Sequence, residues 1–267
     1  MKTIGLLLTL STCLAACAVP EAAPPAVEPE APPAAIVAPL PPERAHVSVP
    51  YAMRGAAVPG SGANGWLAVL DEGRMLISSP TSAGWYVATR PQPEVVAGRH
   101  VFRTAEMTIT VEPGACTVPE QRTAQPDRVT LVWDGGSFEG CGGPRTGPQG
   151  VENSLWELVR LGNQVPPPDR SPAATLGFSA DGRVGGTHVC NSLGSTVRWR
   201  RDGSFVRGPE GYAFVGTQIG CYGPGHDIGQ RFWNMVATAK SWRQEGDRLF
   251  ITGAGGEVAE LRFLIGR

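Results

Sequence analysis

Lysine is nearly missing from this chain of 267 residues: Lys2 and Lys240 stand against 21 arginines. That bias reads as GC-rich coding and not as a guanidinium mechanism. An excess of either charge is missing too. The formal net charge is −1, which excludes a nucleic-acid binder, because neutralising phosphates takes many surplus cations. Residues 46–146 carry 8 arginines against 9 acids, and residues 150–267 carry 13 basic against 11 acidic groups. Neither half specifies an anionic partner. Aromatic residues make up only 7%, so any core is built largely from Val, Leu, Ile and Ala. The motifs of common chemistries are absent as well. There is no Gly-x-Ser-x-Gly elbow, no Gly-x-x-x-x-Gly-Lys-Ser/Thr loop, and no dinucleotide fingerprint opening a helix after a strand. What is abundant is Gly (35) and Pro (25), a level that points to many turns and a low-complexity segment.

The N-terminus carries an address. Lys2 precedes an apolar run from Ile4 to Leu10, and small residues follow. The run falls short of the roughly 20 residues a bilayer-spanning helix needs and has the layout of a secretory signal. Leu14-Ala15-Ala16-Cys17 resembles the bacterial lipobox. The resemblance implies cleavage before Cys17 and acylation there, so residues 1–17 are expected to leave as a lipoprotein signal peptide. Each buried methylene adds about 0.8 kcal/mol, and more than one chain makes a stable anchor. Ala18 stands where an Asp would resemble an inner-membrane retention signal. The expected location is therefore the outer membrane, facing the periplasm. Residues 18–45 hold nine prolines and nine alanines, which reads as a disordered spacer in extended polyproline conformation, about 3.1 Å per residue.

With Cys13 removed and Cys17 acylated, Cys116, Cys141, Cys190 and Cys221 remain. An even number in an exported chain points to disulfides. Four cysteines allow three pairings. The sequential one, Cys116–Cys141 and Cys190–Cys221, puts one bridge in each half, worth about 3–4 kcal/mol apiece by the loop-entropy account. His188 near Cys190 and His226 near Cys221 raise the question of metal. Their spacing matches no usual zinc unit, so no metal and no cofactor is expected.

The body reads as β-rich. Runs at 67–78, 129–140, 176–186 and 197–206 each place Asp near Gly between apolar stretches, a hairpin signal. The last run alternates, with Ala259, Leu261, Phe263 and Ile265 on one face and Glu260 and Arg262 on the other. This predicts a half-buried antiparallel strand. One stretch is helical instead: Ile228, Phe232, Met235, Val236 and Ala239 share a face, with Asp227 as N-cap. Pro144, Gly147, Pro148 and Gly150 mark a boundary. The expected class is mainly β, with two small antiparallel β-barrel or curved-sheet domains over 46–146 and 150–267, the second with one α-helix.

The second half carries motifs that name a family. Leu155-Trp156-Glu157-Leu158, Phe178-Ser179-Ala180-Asp181-Gly182-Arg183-Val184-Gly185-Gly186, Cys190-Asn191 and Thr217-Gln218-Ile219-Gly220-Cys221 resemble, in order, the META (HslJ-like) domain family. So do the following helix, Asp247-Arg248-Leu249 and the closing strand through Leu261-Arg262-Phe263. Thr187-His188-Val189 and Ile219 depart from the usual pattern. The resemblance implies a small barrel or curved sheet with one helix, no established catalytic residues and a loose link to envelope stress. In the first half, Arg54-Gly55, Pro126-Asp127-Arg128-Val129-Thr130-Leu131, Asp134-Gly135-Gly136 and Gly140-Cys141-Gly142-Gly143 resemble an uncharacterised exported lipoprotein domain family. That pattern's Glu-Pro is missing, and Trp66 lies farther along than expected.

No catalytic residue is assigned. His188 with Cys190 would make a thiolate pair only if Cys190 were reduced. Asp71-Glu72 and Glu245 with Asp247 read as solvated turn carboxylates. Arg198, Arg200 and Arg201 form the densest positive cluster, with Trp199 on the opposite strand face. They read as a solvated face or as a contact for an anion or a partner. The expected function is non-enzymatic: an envelope lipoprotein with a binding or scaffold role in homeostasis or stress tolerance. Its partners would be the membrane, through the lipid, and an envelope protein or the cell wall. Two alternatives remain. One is an inhibitor of a lytic enzyme (lysozyme or protease) acting through a loop at Gly208–Gly216 or Thr117–Asp127. The other is a lipocalin-like carrier of a small apolar ligand. An enzyme would need a cleft gathering His188, Asp181 and Arg183.

Overall fold

The computed structural model describes residues 47–56, 65–81, 84–119, 123–169, 171–207, 214–220 and 222–266. The signal, Cys17, the spacer and Cys221 lie outside the described residues. Two antiparallel sheets of nine strands follow one another along the chain. The first contains β1 (Tyr51–Gly55), β2 (Trp66–Leu70), β3 (Arg74–Ser78), β4 (Trp85–Thr89) and β5 (Glu94–Val96). It continues through β6 (Arg99–Arg103), β7 (Met107–Cys116), β8 (Gln125–Trp133) and β9 (Gly136–Pro144). Its order, β4-β3-β2-β1-β9-β8-β7-β6-β5, leaves β4 and β5 as the edges of a half-barrel. Alternate residues point inward, so Met53, Trp66, Ile77, Ile109 and Leu131 share one core.

Local sequence explains the hairpins. Asp134 and Gly135 both have positive φ (49° and 74°) and join Trp133 to Gly136 as a two-residue turn. Gly182 and Gly203 supply the same handedness at φ 84° and 85°. Gly73 does not, and the Asp71–Arg74 turn closes through Asp71 N–H donating to the Arg74 carbonyl at 2.9 Å.

The second sheet holds β10 (Ser154–Leu161), β11 (Ala174–Phe178), β12 (Arg183–His188), β13 (Asn191–Trp199), β14 (Phe205–Val206) and β15 (Phe214–Gly216). After α1 (His226–Ala237) come β16 (Ser241–Glu245), β17 (Arg248–Thr252) and β18 (Val258–Gly266). The order is β14-β13-β12-β11-β10-β18-β17-β16, with β15 on β13. A Ser204–Ser241 bridge and the Trp242 N–H donating to the Gly203 carbonyl at 2.7 Å join the ends. The sheet thus nearly closes into a barrel. Trp156, Phe178, Phe205 and Phe263 fill it from the strands and Phe232 and Trp233 from α1. A carrier would need that space.

The helix begins two residues earlier than the sequence implied. Gly225 is its N-cap and makes no side-chain cap bond. Asp227 sits in the first turn instead, where its charge faces the positive end of the helix. No basic residue of α1 occupies the last turn. Arg207 supplies one from outside, donating to the Ala237 and Ala239 carbonyls at 2.7 and 2.8 Å.

Both sheets lie within one compact unit. Val69, Leu76 and Leu264 are fully buried yet belong to neither core. By strand alternation Leu76 shares the outer face of β3 with Arg74, and Arg74 reaches Glu157 on β10. Their burial outside both cores, together with the bonds of Arg74 and Arg145 to the second sheet, places these residues where the outer faces of the sheets meet. The reading of β18 as half-buried holds along most of the strand, where Val258 is exposed and Glu260 pairs with Arg160 and Arg248, and changes only at its end, where Arg262 and Leu264 turn into the seam.

Candidate functional site

The seam is held by arginines of the first half. Arg74 Nη1 donates to Glu157 Oε1 at 2.9 Å, and Arg74 Nη2 donates to Oε2. Arg262 Nη2, from β18, donates to the same Oε2 at 2.8 Å. Behind them Arg145 pairs with Asp71 at 3.3 Å and donates to the Phe263 and Leu264 carbonyls, each at 3.2 Å. Arg54 donates to the Gly266 carbonyl. Asp71 is therefore drawn into the seam and is not the solvated turn carboxylate that the sequence implied. Glu157 is 8% exposed at the side chain, and burial pushes its carboxyl above the ordinary range despite the pull of Arg74.

Beside this cluster opens a cleft of about 310 Å³. Arg74 and Val87 form one wall, while Glu157, Val159 and Arg262 form another. Two stretches of a strap, Val165 to Asp169 and Ser171 to Ala173, together holding four prolines, close the third side. Each half and the strap contribute, so the cleft exists only when the sheets are docked.

The other conspicuous corner is the β12–β13 hairpin. Val189 sits there at φ 53°, a conformation that a β-branched side chain rarely adopts. Cys190 follows and is disulfide-bonded, so it is no thiolate. Asn191 then clamps the 217–219 segment: its Oδ1 accepts from Thr217 Oγ1 at 3.0 Å and from the Ile219 N–H at 2.7 Å. Its Nδ2 donates to the Ile219 carbonyl at 3.0 Å. The Cys-Asn and Thr-x-x-x-Cys motifs are thus two sides of one clamp. In the first half Cys116 and Cys141 form a disulfide across β7 and β9.

His188 packs its ring 4.7 Å from that of His226, with Nε2 2.9 Å from the His226 carbonyl oxygen. Burial holds its pKa below the ordinary 6.5. The folded state therefore keeps His188 neutral more strongly than the unfolded chain does. Its contribution to stability is full above about pH 6.5 and is lost as pH falls through the lower folded value. His188→Gln is expected to flatten that acid limb in thermal melts collected across pH, and an unchanged limb would refute the assignment.

Asp181 and Arg183 pair with each other at the opposite end of β12, so His188, Asp181 and Arg183 are not gathered in one cleft. The Arg183 backbone N–H holds the Asp181 carboxyl below its usual range. The arginine cluster is dispersed too. Arg198 donates to the Asp181 carbonyl at 3.4 Å, and Arg201 pairs with Glu152 at 2.8 Å. Arg200 is exposed at a turn. Among the described residues no group of three or more His, Cys, Asp or Glu is placed to hold a metal.

The clamp and the helix-plugged barrel have a counterpart among known families. The family model of the META domain matches residues 149–263. The second half is a META domain. No curated protein and no solved structure matches the chain. The seam was not legible in the META motifs, although Glu157 lies within Leu155-Trp156-Glu157-Leu158 and Arg262 within the closing strand. Both are polar residues between apolar ones on adjacent strands. That pattern reads as a solvated face unless a second sheet covers it.

Proposed function

We propose that this chain is a non-enzymatic, lipid-anchored protein of the bacterial envelope, whose META domain works as a binding platform. The observation that carries the reading is the seam. A first β-sheet rests on the outer face of the META barrel through Arg54, Arg74 and Arg145, and the two together frame a cleft that neither has alone. Side chains fill the barrel interior, so binding belongs to outer surfaces. Cys17 would carry the anchor, with residues 18–45 as the stalk and the outer membrane as the destination. Labelling with radioactive palmitate is expected to mark the wild-type chain in the membrane fraction, and Cys17→Ser is expected to release it unlabelled. A wild-type chain that takes up no label would defeat the anchor.

One observation favours inhibition of a lytic enzyme as a second reading. β15 displays Val215, the segment clamped by Asn191 displays Ile219, and Tyr222 is 91% exposed. Apolar side chains held out into water beside a clamped segment suit insertion into a cleft. Residues 208–213 and 120–122 of the two loops expected from the sequence lie outside the described residues. The purified chain should then slow lysozyme on cell-wall suspensions or a protease on casein, and Tyr222→Asp should abolish the effect.

A further inference from the structure

We propose that the cleft between the strap and the seam binds a carboxylate with an apolar body, either a small acid or the free carboxyl end of a peptide. This gives a ligand chemistry to the binding role proposed above and rests on it. Among the described residues, the charges that face the site are Arg74, Arg262, Glu157 and Asp169, with Asp71 and Arg145 behind Arg74. Glu157 is committed to both arginines, and Asp169 lies against Gly223 at the far end. Arg262 is the group with capacity to spare. It has five N–H donors, yet its one hydrogen bond to a described residue goes to Glu157. Its side chain is 28% exposed and lines the cleft. Its Nε is buried without a partner, so the guanidinium is under-satisfied in a partly dry place, where a charge-assisted bond is strongest.

The remaining lining fits the rest of such a ligand. Val87, Val159 and Val165 with the strap prolines offer apolar contact, and the volume lies at the small end of the range for ligand pockets. Prolines on the strap fix its backbone in advance, which lowers the ordering cost of binding. A carboxylate on Arg262 leaves Glu157 in place and takes up donors that Glu157 does not use.

The test is isothermal titration of the full-length chain with N-acetyl-leucine and with N-acetyl-leucinamide, its uncharged counterpart. The acid should bind at least about tenfold more tightly than the amide. Arg262→Gln should erase that preference, and Val165→Asp on the exposed rim should weaken both ligands without disturbing the fold. Arg262→Lys controls for folding, because it keeps the charge but not the planar fork, and it should retain part of the preference. Equal affinity for acid and amide, or no heat from either at millimolar concentration, would overturn the proposal. These outcomes are independent of palmitate labelling, so failure of the anchor and failure of the cleft can be told apart.

Discussion

Glu157→Ala is expected to lower the unfolding free energy by about 3–5 kcal/mol, the usual cost of breaking a buried ion pair from one side. The substitution leaves Arg74 and Arg262 in the seam with no carboxylate between them. Urea denaturation followed by fluorescence would read the loss. A shift of a few tenths of a kcal/mol would mean that water already reaches the cluster. Replacing all three charges with Met and Leu should be far milder, because it removes the desolvation cost along with the attraction. The pH dependence has a definite sign. Burial raises the folded-state pKa of Glu157 above 4.5, so the folded state binds this proton more strongly than the unfolded chain. Its contribution is full below about pH 4.5 and is lost as pH rises through the folded value. Glu157→Gln should remove that slope, while the opposing limb from His188 remains.

The second large effect concerns Gly186, within the Asp-Gly-Arg-Val-Gly-Gly motif. A Cβ there would stand 2.0 Å from the Thr175 carbonyl oxygen and 2.8 Å from its carbon, both backbone atoms of the paired strand β11. Neither can swing away as a side chain would, so Gly186→Ala must push β11 and β12 apart. The expected loss is about 3 kcal/mol, near the upper end for overpacking. Gly147→Ala makes a control, since nothing lies within 4 Å of its Cβ position. If Gly186→Ala melts with the control, the strands are not so closely apposed.

These two residues also show what the sequence could and could not disclose. The META motifs were legible because they encode local needs. Gly182 provides a positive φ, Gly186 a close approach, and Asn191 a clamp on a loop 26 to 28 residues away. Period-two alternation announced the strands, and the spacing of Ile228, Phe232 and Val236 announced the helix. Its start was misjudged because an Asp near a helix N-terminus can stabilise it from the first turn as well as from the cap. The seam left no local trace. Arg54 and Arg74 look like ordinary solvated arginines, and Asp71 like a turn residue, because docking one sheet on another depends on which outer faces meet. Arg54 nevertheless holds the META strand β18, and Gly55 leaves room for the Trp66 ring. Cys17 and Cys221 lie outside the described residues, and their roles stay with the sequence argument.

Both the binding platform and its cleft require the two sheets to behave as one body. Differential scanning calorimetry of the full-length chain tests this most directly, with Arg74→Ala run beside it. The account predicts one cooperative transition in the wild type, with calorimetric and van't Hoff enthalpies in agreement, and a split or broadened profile in the variant. Two separate transitions already present in the wild type, and unmoved by Arg74→Ala, would contradict it.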